Sequence, residues 1–205
     1  MPQVPESLFM RGIQETVRAN EAWVPPYGSG ASLYIRPFLV GIGENLGLRP
    51  APEFEFRVFV SPVGPYYKGG GLSLIDLAVI DLDRAAPKGL GAFKAGANYA
   101  GGLMATQMAK EMGAQEALYL DPVERRFLEE AGSANIVLKM KDGTIVTPQS
   151  DSILPSVTRR SVMTLAEDVL GMKTQERPVE FLKEVDDIEA VSYTHLRAHE
   201  TLMNL

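Results

Sequence analysis

The sequence predicts an α+β protein built in two parts, and three observations carry that prediction. Some segments alternate along the chain, as Phe54, Phe56 and Val58 do against Glu55, Arg57 and Phe59, the pattern of a half-buried strand. Others repeat apolar residues at helical spacing, as Phe9, Ile13 and Val17 do, the pattern of an amphipathic helix. Between the first group of elements and the rest lies Ser61-Pro62-Val63-Gly64-Pro65-Tyr66-Tyr67-Lys68-Gly69-Gly70-Gly71. Its proline and glycine content marks the best domain boundary in the chain.

The elements follow in order. Residues Pro5 to Trp23 read as a helix with Arg11, Glu15 and Arg18 on its polar side, broken by Pro25-Pro26-Tyr27-Gly28. Ser32 to Val40 is a strand with Tyr34 and Arg36 on one face. Pro37 cannot donate to a ladder, so this strand lies at an edge or carries a bulge. Leu72 to Leu82 resumes as strand, and Asp83 to Gly91 is loop. Ala100 to Met112 is helical, with Gly113 as its stop. Its stripe of Met104, Met108 and Met112 reads as core packing rather than a cofactor box. Glu116 to Leu120 is a short strand. Asn135 to Met140 and Thr144 to Thr147 flank Lys141-Asp142-Gly143, a hairpin signal because Asp-Gly suits turns that need positive φ. Pro155 to Leu170 is a helix with Val162, Leu165 and Val169 on one face, and Pro178 to Val185 is a shorter one.

Composition limits the function. A chain of 205 residues allows one large domain or two small ones, and 45% hydrophobic with 22% charged residues suits a packed core. A net charge of −6 argues against a nucleic-acid partner, which calls for a basic stripe. The absence of cysteine excludes disulfides and thiolate catalysis and suits a reducing compartment. No apolar run reaches membrane-spanning length, and the N-terminus lacks the order of a signal peptide. The reading is a soluble, cytoplasmic protein with no membrane partner.

The stretch that points to chemistry is Ala92-Phe93-Lys94-Ala95-Gly96-Ala97-Asn98-Tyr99. A lysine among small and apolar residues is placed either for its stem, which can lie along apolar surface, or for its amine, which condenses with carbonyls when its pKa is depressed. A pyridoxal phosphate site needs, besides the amine, an acid at the ring nitrogen, a donor to the ring phenolate and amides for the phosphate. Glu130, just before the small-residue turn Ala131-Gly132-Ser133, is the candidate acid, and its neighbour Glu129 reads as a solvated helix-end charge. The loop Ser152 to Ser156 leading into a helix is the candidate phosphate site, since the first turn of a helix has free N–H groups, though an ordinary capped helix start has the same spacing. Near the C-terminus, His195 and His199 stand at helical spacing, but no third ligand is at hand, so no metal site is assigned.

These motifs, taken together, resemble the branched-chain amino acid aminotransferases, pyridoxal-phosphate enzymes of fold type IV. The resemblance runs from about Pro5 to Val191 and rests on four stretches: Ser32 to Pro37, Lys94 to Tyr99, Glu130 to Asn135, and Ile153 to Arg159. It implies two domains: the C-terminal part of a small α/β domain over residues 1–61, and over 72–191 an incomplete larger domain with a barrel-like sheet, joined by a linker over 62–71. It implies pyridoxal 5′-phosphate in a Schiff base on Lys94, with Tyr99 at the phenolic oxygen, Glu130 at the pyridine nitrogen, Leu154 on the ring face, and Val157 and Thr158 at the phosphate. Tyr34 and Arg36 would line the substrate side, the arginine forking onto the distal carboxylate of glutamate. The implied reaction is transamination of leucine, isoleucine or valine with 2-oxoglutarate in a homodimer. Sibling enzymes of the same fold, D-amino acid aminotransferases and aminodeoxychorismate lyases, are the alternatives, together with a non-catalytic fragment; the Tyr34 to Pro37 stretch and the Asn98-Tyr99 pair favour the branched-chain group over both siblings. Family members carry further segments at both ends, so the chain is expected to be truncated at both. Residues 192–205 resemble translated sequencing adapter and are expected to lie outside the native fold.

Overall fold

The computed structural model describes residues 1–64 and 74–195, which fall into two compact units, one on either side of the undescribed stretch. In the first unit, helix α1 spans Glu6–Ala19 and is followed by a 3-10 turn at Glu21–Trp23. Glu6 in its first turn and Arg18 in its last complement the helix dipole. The helix packs on a two-stranded antiparallel sheet, β1 (Ser32–Ile42) and β2 (Glu53–Val63). Phe9 meets Phe56 at 5.8 Å between ring centroids. Gly12 lets the helix come close, since a Cβ there would lie 3.0 Å from the Phe56 ring. The register runs unbroken past Pro37, which stands opposite Val58. The proline therefore marks an edge and not a bulge, because an edge strand uses only half of its N–H groups in the ladder.

The second unit is a mixed α+β body. A three-stranded sheet has the order β3-β4-β5, with β3 (Leu77–Val79) parallel and β5 (Leu128–Ala131) antiparallel to β4 (Glu116–Leu120). A four-stranded sheet has the order β8-β7-β6-β9, formed by Thr174–Arg177, Ile145–Pro148, Ala134–Met140 and Ile188–His195. Among the described residues these are two open sheets with no closed barrel; Gly132 and Ser133 carry the chain from one to the other. Helices α2 (Gly96–Glu111), α3 (Val157–Asp168) and the short α4 (Phe181–Glu184) complete the unit. The hairpin between β6 and β7 turns on Gly143 at φ 83, and the Asp142 carboxylate accepts from the Thr144 N–H at 2.9 Å.

Several elements differ from the sequence reading. Pro62 and Val63, expected in the linker, close strand β2. Of the expected strand from Leu72 to Leu82 only Leu77–Val79 pairs, and Leu72 and Ser73 lie outside the described residues. The later positions leave the ladder, where Asp81 and Asp83 meet Arg125. The methionines of α2 are not core: Met104 and Met112 are each about two-thirds exposed, whereas Ala105 and Ala109 are buried. Small side chains let this helix lie directly on β4, over the fully buried Tyr119. In α3 the inward face is Val162 and Ala166, while Val169 is exposed. Residues 192–195, expected outside the fold, extend β9 along β6, with Ala134 opposite His195. A ladder is built from main-chain groups, so a segment without side-chain periodicity can still join one. Among the described residues no group of three or more His, Cys, Asp or Glu is arranged to hold a metal; His199 lies outside them.

Candidate active site

The second unit brings four chain segments to one cleft, lined by Arg84, Tyr99 of α2, the run from Glu130 of β5 to Asn135 of β6, and Leu154. Lys94 stands at its approach, on the loop that enters α2. That loop is fixed locally: the Asn98 side-chain amide donates to the carbonyls of Leu90 and Phe93, at 2.7 and 3.0 Å. It is also fixed from a distance, because Gly91 lies against Ser152 so closely that a Cβ would come 2.3 Å from the Ser152 carbonyl oxygen. Lys94 Nζ donates to the Tyr99 hydroxyl at 2.8 Å and sits 4.7 Å from the centre of its ring. The lysine is exposed, so its apolar neighbours in sequence do not enclose it.

Glu130 has the opposite setting. It is 4% exposed and its side chain is surrounded by donors. Leu154 N–H donates to Oε1 at 3.2 Å, the Asn135 amide donates to Oε2, and Arg84 Nε lies 2.9 Å from Oε1. Burial pushes the carboxyl up to about 7, against the pull of Arg84, the Leu154 N–H and the Asn135 amide toward ionisation. The next carboxylate, Glu129, is not a solvated helix end. It belongs to strand β5, is 2% exposed, and accepts from the hydroxyls of Ser150, at 2.9 Å, and Ser152. Its neighbours in sequence resemble a charged surface turn; strand pairing with β4 is what carries it inside.

Past Leu154 the chain enters α3 at Val157. Ser156 caps it, its hydroxyl accepting from the Arg159 N–H at 3.1 Å. The N–H groups of Val157 and Thr158 lie in the first turn, where no earlier helix carbonyl is available to them, and the dipole there favours an anion. In the first unit, Tyr34 and Arg36 share one face of β1; Arg36 Nε donates to the Tyr34 hydroxyl at 2.9 Å and its guanidinium sits 5.1 Å from the ring centre.

The residues of the second unit suit pyridoxal phosphate. An amine, a phenol, a buried carboxylate and a free helix start occur along one run of segments. Among the described residues, Asn135 Oδ1 is buried without a hydrogen-bond partner, and Arg84 Nε, although close to Glu130, is not aligned to donate to it. Both residues line the cleft. Orphaned polar atoms are rare in finished interiors; Arg84 Nε is compensated by the charge of Glu130, and Asn135 Oδ1 is the atom that a donor of a polar ligand would complete. Sequence reasoning missed Arg84 and Ser150, and it placed Ser152 in the candidate phosphate loop, whereas its hydroxyl donates to Glu129. Arg84 follows Asp81, Asp83 and other loop residues and carries no periodicity to set it apart from a surface charge.

A family model for amino-transferase class IV matches residues 1–195. The chain is 49% identical over 183 residues to a branched-chain-amino-acid aminotransferase of Helicobacter pylori, covering 87% of this chain and 53% of the relative. It is 49% identical over 184 residues to that of Haemophilus influenzae, with the same coverage of 87% and 53%. The chloroplastic branched-chain-amino-acid aminotransferase 5 of Arabidopsis thaliana is 44% identical over 191 residues, covering 92% and 45%. The chain spans about half the length of the curated relatives it matches. Among solved structures, the branched-chain amino acid aminotransferase of Escherichia coli aligns with a TM-score of 0.77 at 26% identity, covering 95% of this chain and 62% of that one. A T.th. branched-chain amino acid aminotransferase with pyridoxamine 5′-phosphate aligns with a TM-score of 0.79 at 27% identity, covering 95% and 61%.

Proposed function

The chain belongs to amino-transferase class IV, and on that premise we propose that the protein transaminates leucine, isoleucine or valine with 2-oxoglutarate, using pyridoxal 5′-phosphate attached through Lys94. The observation that carries the reading is the Lys94–Tyr99 pair, 2.8 Å apart, with Tyr99 and the buried Glu130 lining one cleft. The names of the relatives supply the substrate class, and the pyridoxamine 5′-phosphate of the T.th. enzyme supports the cofactor.

Bound pyridoxal phosphate supplies an electron sink for the bond broken at the substrate's Cα. The chain's own groups do the rest. Lys94 offers the amine that holds the cofactor and, once released, takes and returns the proton at Cα. Tyr99 donates to the phenolic oxygen and, through its bond to Nζ, keeps the lysine over the cleft. Glu130 would pair with the ring nitrogen and hold a proton there, the buried carboxyl being the acid that lines the cleft. Leu154 would lie against the ring, and the first-turn N–H groups of Val157 and Thr158 would bind the phosphate. For Tyr34 and Arg36 the proposed role is recognition of substrate, since a guanidinium can fork onto the second carboxylate of glutamate. Amino acids and 2-oxo acids are thus the ligands. We take the working assembly to be a homodimer in the cytoplasm, a compartment whose reducing conditions a cysteine-free chain suits.

The test is borohydride reduction of the purified chain mixed with pyridoxal phosphate. Mass spectrometry is expected to find the cofactor's mass on Lys94, and none in Lys94→Ala. Glutamate formation from leucine and 2-oxoglutarate then checks the substrate class. Turnover with D-alanine and none with leucine would replace the proposal by a D-amino acid enzyme, and no reduction product would leave the chain without the proposed chemistry.

A further inference from the structure

Arg84 is a buried cation of the second unit that touches neither the Lys94 amine nor the start of α3. Its side chain is 8% exposed, and a guanidinium removed from water needs compensation from every neighbour. Three segments provide it. Nε lies 2.9 Å from Glu130 Oε1, and Nη2 donates to the Gly91 carbonyl at 3.2 Å and to the Ser152 carbonyl. Those three contacts join the cleft to two segments beside it. Glu130 is the acid, Gly91 stands at the base of the loop bearing Lys94, and Ser152 begins the strap that leads through Leu154 to α3. The close approach of Gly91 to Ser152 sets the two loops against each other and leaves them no room to slide at this point.

We infer that Arg84 is a positioning residue, which fixes the Glu130 carboxylate relative to the Lys94 loop and the Ser152–Leu154 strap. It acts through Glu130 and two backbone carbonyls. A planar fork suits this role, because the two ends of one guanidinium reach a carboxylate and two carbonyls at once, which a lysine ammonium on a flexible stem does not reproduce. The charge matters as well as the shape. Glu129 precedes Glu130 on the same strand, Glu116 of β4 accepts from Ser133 Oγ at 3.0 Å beside the cleft, and Tyr99 lines it with Lys94 bonded to its hydroxyl. Of the described groups around Glu130, Arg84 is the cation in direct contact with it. The consequence for catalysis rests on the pyridoxal-phosphate reading of the cleft, while the contact to Glu130 can be judged without cofactor.

The test uses Arg84→Met, Arg84→Lys and Glu130→Gln in the full chain. The first readout is the Glu130 carboxyl titration without cofactor, followed by carbon NMR and assigned by its loss in Glu130→Gln. In Arg84→Met the midpoint is expected to rise by about one unit or more, the scale on which a neighbouring cation acts, and Arg84→Lys is expected to fall between that variant and the unsubstituted protein. The second readout is affinity for pyridoxal phosphate from its visible absorption, expected to fall about tenfold or more in Arg84→Met and less in Arg84→Lys. An unmoved midpoint in folded Arg84→Met overturns the inference. If that variant does not fold, Arg84→Lys is combined with Glu130→Gln: losses in affinity smaller than the sum of the two support coupling through Glu130, and additive losses overturn it. A parent chain that binds no cofactor instead refutes the reading of the site, and the carboxyl titration still decides the role of Arg84.

Discussion

Glu129 and Glu130 are neighbours in one short strand, both buried, yet they do different work. Successive side chains of a strand point to opposite faces, so the two carboxylates meet different surroundings. Glu129 is bonded to two serine hydroxyls of a single loop. Glu130 meets a guanidinium, a backbone N–H and a side-chain amide from three segments, and lines the cleft beside Tyr99. The first arrangement ties a loop down. The second raises a carboxyl to about 7 where it lines the cleft. Burial alone therefore does not single out the proposed acid; its partners do.

Substitution separates the two most sharply. Glu130→Gln is expected to lower kcat for transamination by roughly a hundredfold, the scale of losing one preorganised electrostatic partner, an effect on catalysis larger than its effect on stability. Glu129→Gln is expected to do the reverse, lowering stability by about 1–3 kcal/mol through a disturbed buried hydrogen-bond set while kcat falls far less. Steady-state kinetics and urea unfolding on the same samples check both. Equal kinetic losses would erase the distinction.

A smaller effect reads the same comparison through pH. The carboxyl of Glu130 is raised from 4.5 to about 7 in the fold, so folding favours its protonated form. Its contribution is fully present below the unfolded pKa and is lost as pH rises through about 7, a difference of about 3 kcal/mol for a shift of this size. Carboxylates with lowered pKa, such as Asp121 and Glu184, act in the opposite sense at lower pH. The quantity to measure is therefore unfolding free energy of the cofactor-free protein minus that of Glu130→Gln, between about pH 4.5 and 8, the span that brackets the shift. A flat difference would show that Glu130 is not buried as described.

The smallest expected effect concerns the stripe that sequence periodicity placed in the core. Met104→Gln and Met112→Gln are expected to change stability by about 0.5 kcal/mol or less, as exposed positions do, whereas Ala105→Leu and Ala109→Leu, which overfill the contact with β4, are expected to cost about 1–3 kcal/mol. Thermal unfolding of the four variants orders them.

These same residues show how much of the molecule is legible in its sequence. Lys94 and Glu130 stand out from their flanks, Tyr99 and Leu154 from a resemblance, and the fold brings the four together: Lys94 bonds to Tyr99, the Leu154 N–H to Glu130, and Tyr99, Glu130 and Leu154 line one cleft. Glu116 to Leu120, the Asp142-Gly143 hairpin and α1 are equally legible, since each is set by local period and turn chemistry. Glu129 is misread and Arg84 goes unseen, because their burial depends on partners that lie far along the chain: Ser150 and Ser152 for one, Glu130, Gly91 and Ser152 for the other.

By itself, then, the sequence determined the α+β character, the placing of most strands and helices, and which lysine and which acid to examine. Only the tertiary structure decided that α2 lies on its alanines and leaves its methionines outside, that residues 192–195 pair along β6, and that a single buried arginine joins the acid to the loop bearing the lysine. The physical reason is common to all three. Periodicity and turn chemistry act over a few residues, whereas burial, ladder pairing and charge compensation are settled by whichever distant segments come to lie against them.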